Sequence, residues 1–532
     1  MTGSFAETPR ALPARHETVG QMLRRIATEV PDRVAVVEGV ASPDRRRWTY
    51  ADLLRASERT ARTLLRDFAP GETIAIWAPN IPEYVVAQYG AALAGLVVVT
   101  VNPAFRPAEA RYAFEHAGVV GCLTVPDFRG HRLLSDARNI AAELPGLRTI
   151  VDLENWDAYV ADVDDTAPLP EVEPDAPAYV LYTSGTTGAP KGAVLTHAGV
   201  TDNVTVGAAN IAGASADRTV WLAVLPMFHL AGCVVAAIGT LSLRGALVTV
   251  RSFDAALAVR LIAEERVSTL NIVPTLMWAM LRDPSWGERD TSSLHSIMLG
   301  GAPIPPELAR RVREHGIVPI VGYGLTEAPM VSATSAGDDD HDLIHTIGRP
   351  LPGVALRVVD PATGQEVPSG GVGEIETRGS HTFGGYLGDP GATGRAFRAD
   401  GWLRTGDLGA MDERGVVAMA GRAKEMIIRG GENVYPREIE DHLAKLPGVL
   451  EAAVIGLPDD YYGEVVAAFV RRDHPSCSAR ELADRLRREI TGYKVPSRWF
   501  FVDAFPLTTS GKIQKFALRE GWENGDYREE AA

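Results

Sequence analysis

The sequence predicts an α/β protein with a large N-terminal part and a small C-terminal one. Three observations predict it. Apolar strand-like runs alternate with helical stretches over the first third, and short strands cut by Gly and Pro turns occupy Gly348 to Gly415. A glycine- and charge-rich segment, AGRAKEMIIRGGENVYP, then separates about 420 residues from about 110, sizes at which each part holds its own core.

The elements follow in order. TIAIW (Thr73 to Trp77), LVVVTV (from Leu96) and VVGCLTV (from Val119) are continuous apolar strands, and EYVVAQYGAALAG and PAEARYAFEHAG between them are helical. Strands apolar at every position are covered on both faces, which marks a parallel sheet with crossover helices. Upstream, Thr49 stands three residues before Asp52, a helix-start signal, and Leu54, Ala61, Leu65 and Phe68 form the stripe expected to face the core. ALRVV and GEIETRG are short strands of the β-rich stretch, and in the last part Ser478 and Glu481 make a capping pair ahead of Leu482, Leu486 and Ile490. No fixed-period repeat and no low-complexity tract interrupts this order.

Composition excludes several classes. The 532 residues are 46% hydrophobic and 23% charged, the balance of a water-soluble globular chain. A net charge of −15, from 53 basic and 68 acidic residues, argues against nucleic acid as the main partner. Cys122, Cys233 and Cys477 lie far apart, so neither a disulfide framework nor a zinc site is expected, and a cytoplasmic location fits best. The first 20 residues lack the apolar core of a secretory signal. The greasiest window, YGAALAGLVVVTVNP, is broken by Gly90, Gly95 and Pro103 and falls short of the ~20 apolar residues that span a bilayer. No membrane span is expected.

One stretch raises a chemical question. YVLYTSGTTGAPKGAVLTH packs Thr183, Ser184, Gly185, Thr186, Thr187 and Gly188 into one loop and ends it on Lys191. Successive backbone N–H groups and hydroxyls with little side-chain bulk wrap phosphate oxygens, and the lysine adds a cation beside them. A flexible surface turn would not be hemmed by two apolar runs. The glycines are three apart and Gly192 follows the lysine, so this is not the G-x-x-x-x-G-K-[ST] cradle of nucleotide hydrolases.

YTSGTTGAPKG resembles the signature loop of the adenylate-forming enzymes, which include acyl-CoA and aryl-CoA synthetases, luciferases and peptide-synthetase adenylation domains. LPMFHLAG, LGGAPIP, GYGLTEA, GEIETRG, DGWLRTGDLG, GRAKEMIIRGGENVYPREIE and TTSGKIQK follow in that family's order and span nearly the whole chain. The look is closest to bacterial fatty-acid and aryl-acid CoA ligases. The resemblance implies a large multi-subdomain N-terminal domain (1–421), with mainly parallel sheets covered by helices and a small β-rich part. It implies a small mobile α+β C-terminal lid (422–532), with its hinge near Lys424.

It also implies a two-step reaction and roles within it. A carboxylate attacks the α-phosphorus of ATP and expels pyrophosphate; a thiol, that of coenzyme A in most members, then takes the acyl group and releases AMP. Thr183 to Gly188 with Lys191 resemble the holder of the β- and γ-phosphates, with Thr186 and Lys191 among the catalytic groups. Glu327 resembles the ligand of Mg2+, for which one carboxylate plus phosphate oxygens suffices, and Thr326 an α-phosphate contact. Tyr323, between Gly322 and Gly324, resembles the adenine neighbour, and Gly301, Ala302 and Pro303 within GGAPIP the adenine wall. Asp407 resembles the acceptor of both ribose hydroxyls, and Arg422 a ribose or phosphate contact. Lys512 resembles the lysine that swings in from the small domain for adenylation. Lys424 occupies the hinge position, around which rotation would bring Gly430 and Gly431 to the coenzyme A arm.

The acid is less legible. His229 matches a position that gates the acyl pocket in many relatives, although a histidine beside apolar residues is more often a hydrogen-bonded core member. Leu230, Ala231, Val235, Pro329, Met330 and Val331 are placed to line the pocket. They are apolar and uncharged, which favours an aliphatic or aromatic monocarboxylate over a free amino acid. Arg251 is either a contact for a coenzyme A phosphate or a strand-end surface charge. Two departures stand out: Val321 where many ligases carry glutamine, and Ile428 where several aryl-acid ligases and luciferases carry lysine, a gap that Arg429 could fill. Two other functions stay open, an adenylating enzyme whose acceptor is an amine, a carrier-protein thiol or an aryl amine meeting an adenylated oxyanion such as nitrite, and a catalytically silent binding protein. Retention of Lys191, Glu327, Asp407 and Lys512 together argues against the silent protein. Luciferase-type oxidation has nothing in the sequence that calls for it, and a homodimer or carrier protein as partner is left open.

Overall fold

The structure is a computed structural model and describes residues 3–10, 14–183, 190–301, 304–430, 432–474, 477–507 and 513–532. The protein is α/β, with a large N-terminal part built on mainly parallel sheets and a small α+β C-terminal part. Among the described residues four sheets organise it.

The first sheet has seven strands, in the order Gly385–Tyr386, Lys191–Thr196, Pro177–Thr183, Val97–Thr100, Thr73–Trp77, Val119–Thr124 and Thr149–Asp152. The last five of these pair in parallel, whereas Lys191–Thr196 turns back antiparallel on Pro177–Thr183. Val97–Thr100 is buried at every position, and so is the preceding helix Pro82–Ala94 except at Glu83, as continuous apolar runs require. That helix stops at Gly95, whose φ of 70° is the left-handed conformation glycine adopts without penalty.

The second sheet has nine strands, parallel from Val318–Leu325 through Ser296–Leu299, Thr269–Ile272, Val220–Ala223 and Ala246–Thr249 to Val34–Glu38, with antiparallel strands at its edges. A third sheet is antiparallel and joins Phe5–Glu7, Ala355–Val359, Val372–Arg378, Leu403–Met411 and Val417–Arg422, which is the β-rich stretch expected from the glycine and proline spacing. The fourth contains Glu432–Val434, Ile427–Arg429, Gly463–Arg472, Val449–Asp459 and Arg498–Phe501. The largest core cluster draws its buried residues from Val19 to Val417, and two further clusters draw theirs from Ile427 onward.

Helix caps follow the sequence signals. Thr49 accepts the N–H of Asp52, and Asp52 accepts that of Thr49, a capping box that starts Tyr50–Asp67. The buried stripe of this helix differs from the expected one: Leu53, Ser57, Thr60, Ala61 and Leu64 face inward, while Leu54 and Leu65 are half-buried along its border. Ala61 and Phe68 of the expected stripe are buried, and Tyr50 at the helix start is buried with its hydroxyl on the Gly245 carbonyl at 2.7 Å. Ser478 caps Ala479–Leu486, and Leu482, Leu486 and Ile490 are all buried, although the helix ends before Ile490. No described helix is long and apolar enough to cross a membrane.

Candidate functional site

The hairpin Pro177–Thr183/Lys191–Thr196 brackets the phosphate-type loop. Thr183 and Lys191 pair across it, and the Thr183 hydroxyl reaches the Lys191 carbonyl at 3.4 Å. The loop therefore joins two antiparallel strands. Ser184, Gly185, Thr186, Thr187 and Gly188 lie outside the described residues, as do Ala302, Pro303, Gly431 and Lys512.

Lys191 leaves its strand toward Tyr386, its ammonium 5.0 Å from the ring centroid, a cation–π distance. The Tyr386 hydroxyl donates to Glu327 Oε1 at 2.6 Å. Glu327 and Thr326, both half-buried, occupy the tight turn that joins Val318–Leu325 to Ala328–Ala333, and the Glu327 carbonyl accepts the Phe383 N–H at 2.8 Å. Gly324, on the strand that enters this turn, allows the close return of the chain, since a Cβ there would lie 2.1 Å from the Pro329 carbonyl. Two sequence-chosen charges, on different sheets, thus share one tyrosine that the sequence reading missed. Burial and the neighbouring Glu327 carboxylate hold the Tyr386 phenol above its usual range, so it stays a donor.

A second cluster forms beside the same turn. The Tyr323 hydroxyl donates to Asp407 Oδ2 at 2.7 Å, and Arg422 Nε lies 3.0 Å from Asp407 Oδ1. Asp407 and Arg422 are register partners in the third sheet, which fixes their approach. Burial first, then the Asp407 charge, pushes the Tyr323 phenol well above its ordinary value. Asp407 in turn raises Arg422 against the opposing effect of burial. Tyr323 is expected as an adenine neighbour; its tie to Asp407 is a finding of the structure. A carboxylate has two oxygens with about four acceptor directions, chemistry that suits a vicinal diol.

Lys424 belongs to the same electrostatic neighbourhood. Burial, then Arg422, lowers its ammonium below the usual lysine range, against the pull of Glu425, Asp407 and Glu327. Among the described residues Tyr386 is the one hydrogen-bond donor to the Glu327 carboxylate. Its other oxygen suits Mg2+, which binds through one or two carboxylates plus phosphate oxygens.

The residues expected to line the acid pocket are held differently. Leu230, Val235, Pro329, Met330 and Val331 are buried, Ala231 is half-buried and His229 is exposed. The histidine is therefore not a core member; its Nδ1 accepts the Ala231 N–H at 3.2 Å. Ala231–Ile238 forms a π-helix, a geometry frequent at functional sites. Buried side chains bond its carbonyls: Asn271 donates to Ala231 at 2.8 Å and Gln88 to Cys233 at 3.0 Å. Asn203 clamps Met330 by accepting its N–H at 2.9 Å and donating to its carbonyl at 2.7 Å. Gly207, whose Cβ would meet the Met330 sulfur at 2.3 Å, leaves room for that side chain.

The residues expected near coenzyme A are apart from both clusters in their contacts. Arg251 lies in a surface groove of about 400 Å³ with Val40, Phe128, Arg129 and Ser252, and it is paired with Glu154 at 2.7 Å and with the Asp127 carbonyl at 3.0 Å. Gly430, with φ of 60°, donates its N–H to Tyr462. Ile428 is 52% exposed, and Arg429 beside it is engaged by the Tyr493 carbonyl and the Tyr462 ring. Gly301 has φ of 76° at the end of Ser296–Leu299, and Gly322 lies on Val318–Leu325, the strand that carries Tyr323.

Comparison with known proteins gives these clusters a context. A family model described as AMP-binding enzyme matches residues 23–387, and one described as AMP-binding enzyme C-terminal domain matches 438–512. The chain is 37% identical over 538 residues to a putative acyl-CoA synthetase of Bacillus subtilis, covering 95% of this chain and 97% of that one. It is 36% identical to a sulfoacetate–CoA ligase of Cupriavidus necator, covering 96% and 99%. Among solved structures, ATP-bound MatB from Rhodopseudomonas palustris superposes with a TM-score of 0.86 at 30% identity, covering 96% of this chain and 99% of that one.

Proposed function

The chain belongs to the AMP-binding enzyme family and is a ligase of acyl-CoA synthetase type, and on that premise we propose that it activates a monocarboxylic acid as an acyl-adenylate and passes the acyl group to coenzyme A. The observation that carries this reading is the meeting of Lys191 and Glu327 on Tyr386, beside the Tyr323–Asp407–Arg422 cluster.

The obstacle to the first step is charge. A carboxylate approaching a triphosphate is repelled by about 4 kcal/mol per pair of unit charges at ~4 Å and an effective dielectric of 20. Lys191 offsets part of that at the β- and γ-phosphates, together with the loop 183–188. Glu327 holds Mg2+, which supplies further neutralisation when bound. Asp407 takes the ribose hydroxyls, with Tyr323 and Arg422 fixing the carboxylate that does so. Thr326 meets the α-phosphate. Lys512 binds the attacking carboxylate oxygen as it forms the bond to the α-phosphorus and the bond to pyrophosphate breaks. In the second step the thiol sulfur bonds the acyl carbon, and the oxygen that bridged to phosphorus leaves with AMP.

The unit boundary is placed at 421/422, with Lys424 as hinge, and the small domain exchanges the Lys512 face for the Gly430–Gly431 face between steps. A swap of faces lets one phosphate site serve two reactions. The apolar wall of Leu230, Val235, Met330 and Val331 supports an aliphatic or aromatic monocarboxylate. It offers no cation for a second anionic group of the kind a sulfoacetate carries. His229, exposed at the start of this wall, is placed to gate it.

A panel of carboxylic acids incubated with ATP and Mg2+, with and without coenzyme A and read by product mass, tests this. Acyl-CoA and AMP are expected from an apolar acid. Adenylate formation with no thioester from any acid would overturn the acceptor, and no acid-dependent AMP at all would overturn the reading.

A further inference from the structure

Lys191 and Glu327 carry opposite charges on different sheets, and both contact Tyr386, one on its ring face and one on its hydroxyl. Among the described residues no ion pair is formed between the two. Tyr386 is built to hold that place. It pairs with Ala193, diagonal to Lys191 on the same strand, and the Leu387 N–H bonds the Gly192 carbonyl at 2.8 Å. Its own N–H is taken by the Thr393 hydroxyl at 2.9 Å, and Phe383 packs edge-on against the ring at 4.8 Å. Backbone pairing and the Phe383 ring thus hold the half-buried Tyr386 between the two charges.

We propose that Tyr386 is a positioning residue that holds Lys191 and Glu327 apart before substrate arrives. The ring face carries the ammonium without neutralising it, so the cation remains available to phosphate oxygens. The hydroxyl orients one carboxylate oxygen and leaves the other for Mg2+. This rests on the phosphate and metal roles proposed above for Lys191 and Glu327.

The test is calorimetric binding of ATP without metal, in EDTA, to the full-length protein and its variants. Y386L removes both the ring and the hydroxyl, and Lys191 then pairs with Glu327, weakening ATP binding about tenfold. E327Q removes the competing carboxylate, so the double variant Y386L/E327Q is expected to bind ATP within about threefold of E327Q alone, a rescue that loss of packing would not produce. Y386F keeps the ring and is expected to bind metal-free ATP as the wild type does. It raises the Mg2+ concentration needed for half-maximal ATP–pyrophosphate exchange about threefold. Wild-type affinity in Y386L, or a double variant as weak as Y386L, overturns the proposal. Should Y386L not fold, an unchanged Mg2+ requirement in Y386F overturns it instead. Failure of the wild type to bind ATP would overturn the proposed function, and this inference with it. Wild-type binding with indifferent Tyr386 variants would overturn this inference alone.

Discussion

The proposed phosphate side and the proposed acid side of this site are made in opposite ways. On the phosphate side, charged groups on separate elements are tied by named polar contacts: Tyr386 to Glu327, Tyr323 and Arg422 to Asp407. On the acid side, apolar residues are fixed through their backbones, by Asn203 on Met330 and by Gln88 and Asn271 on the π-helix Ala231–Ile238. The first region is set by charge, which admits few residue types, and the second by shape, which admits many. On the proposed function, chemistry common to all substrates belongs to the first, and discrimination between acids to the second.

That division makes separable predictions. The largest effect falls on the phosphate side: Lys191→Ala and Glu327→Gln are each expected to lower acid-dependent ATP–pyrophosphate exchange by about 10²–10³, the scale of losing one preorganised electrostatic group. A drop under tenfold would break the comparison. On the acid side, Val235→Phe is expected to shift the kcat/KM ratio between a small and a large acid by about 10–200-fold while leaving the KM for ATP unchanged. A matching change in the KM for ATP would mean that the two regions are not independent. Tyr323→Phe removes one hydrogen bond to Asp407 and is expected to raise the KM for ATP about fivefold, in line with the net worth of such a bond.

The smallest effect at neutral pH lies in the scaffold beneath both. His197 and His381 are buried with one ring nitrogen unbonded each, and burial lowers both to about 4 from an ordinary 6.5. Below pH 6.5 the unfolded chain takes up protons that the folded one refuses, so this contribution is complete above 6.5 and lost as pH falls toward 4. Denaturant midpoints followed from pH 7 to pH 4 are expected to fall over that window, with a smaller fall in His381→Asn.

The same contrast explains what the sequence disclosed. Continuous apolar strands and capping pairs are local, so Thr73–Trp77, Val97–Thr100 and the Thr49 cap were legible. So were Lys191, Glu327 and Asp407 as candidates, because each stands in a short run of small or turn-forming residues that resembles a family motif. Their partners were not. Tyr386 lies 59 residues from Glu327, Tyr323 lies 84 from Asp407, and Asn203 lies 127 from Met330, separations at which only the fold decides contact. Within the expected helix stripe Ala61 and Phe68 are buried, whereas Leu54 and Leu65 missed by one position because leucines at both 53 and 54, and at 64 and 65, satisfy the helical period equally. Nor could apolarity separate pocket from core, since Val235, Met330 and Val331 read alike in both settings.

In the proposed reaction the charged side drives attack of a carboxylate oxygen on the α-phosphorus. The most direct test supplies, from whichever acid of the panel turns over, a form labelled with oxygen-18 in both carboxylate positions. Attack at the α-phosphorus predicts one labelled oxygen in the AMP released with acyl-CoA. Label in pyrophosphate or inorganic phosphate, with none in AMP, would contradict it.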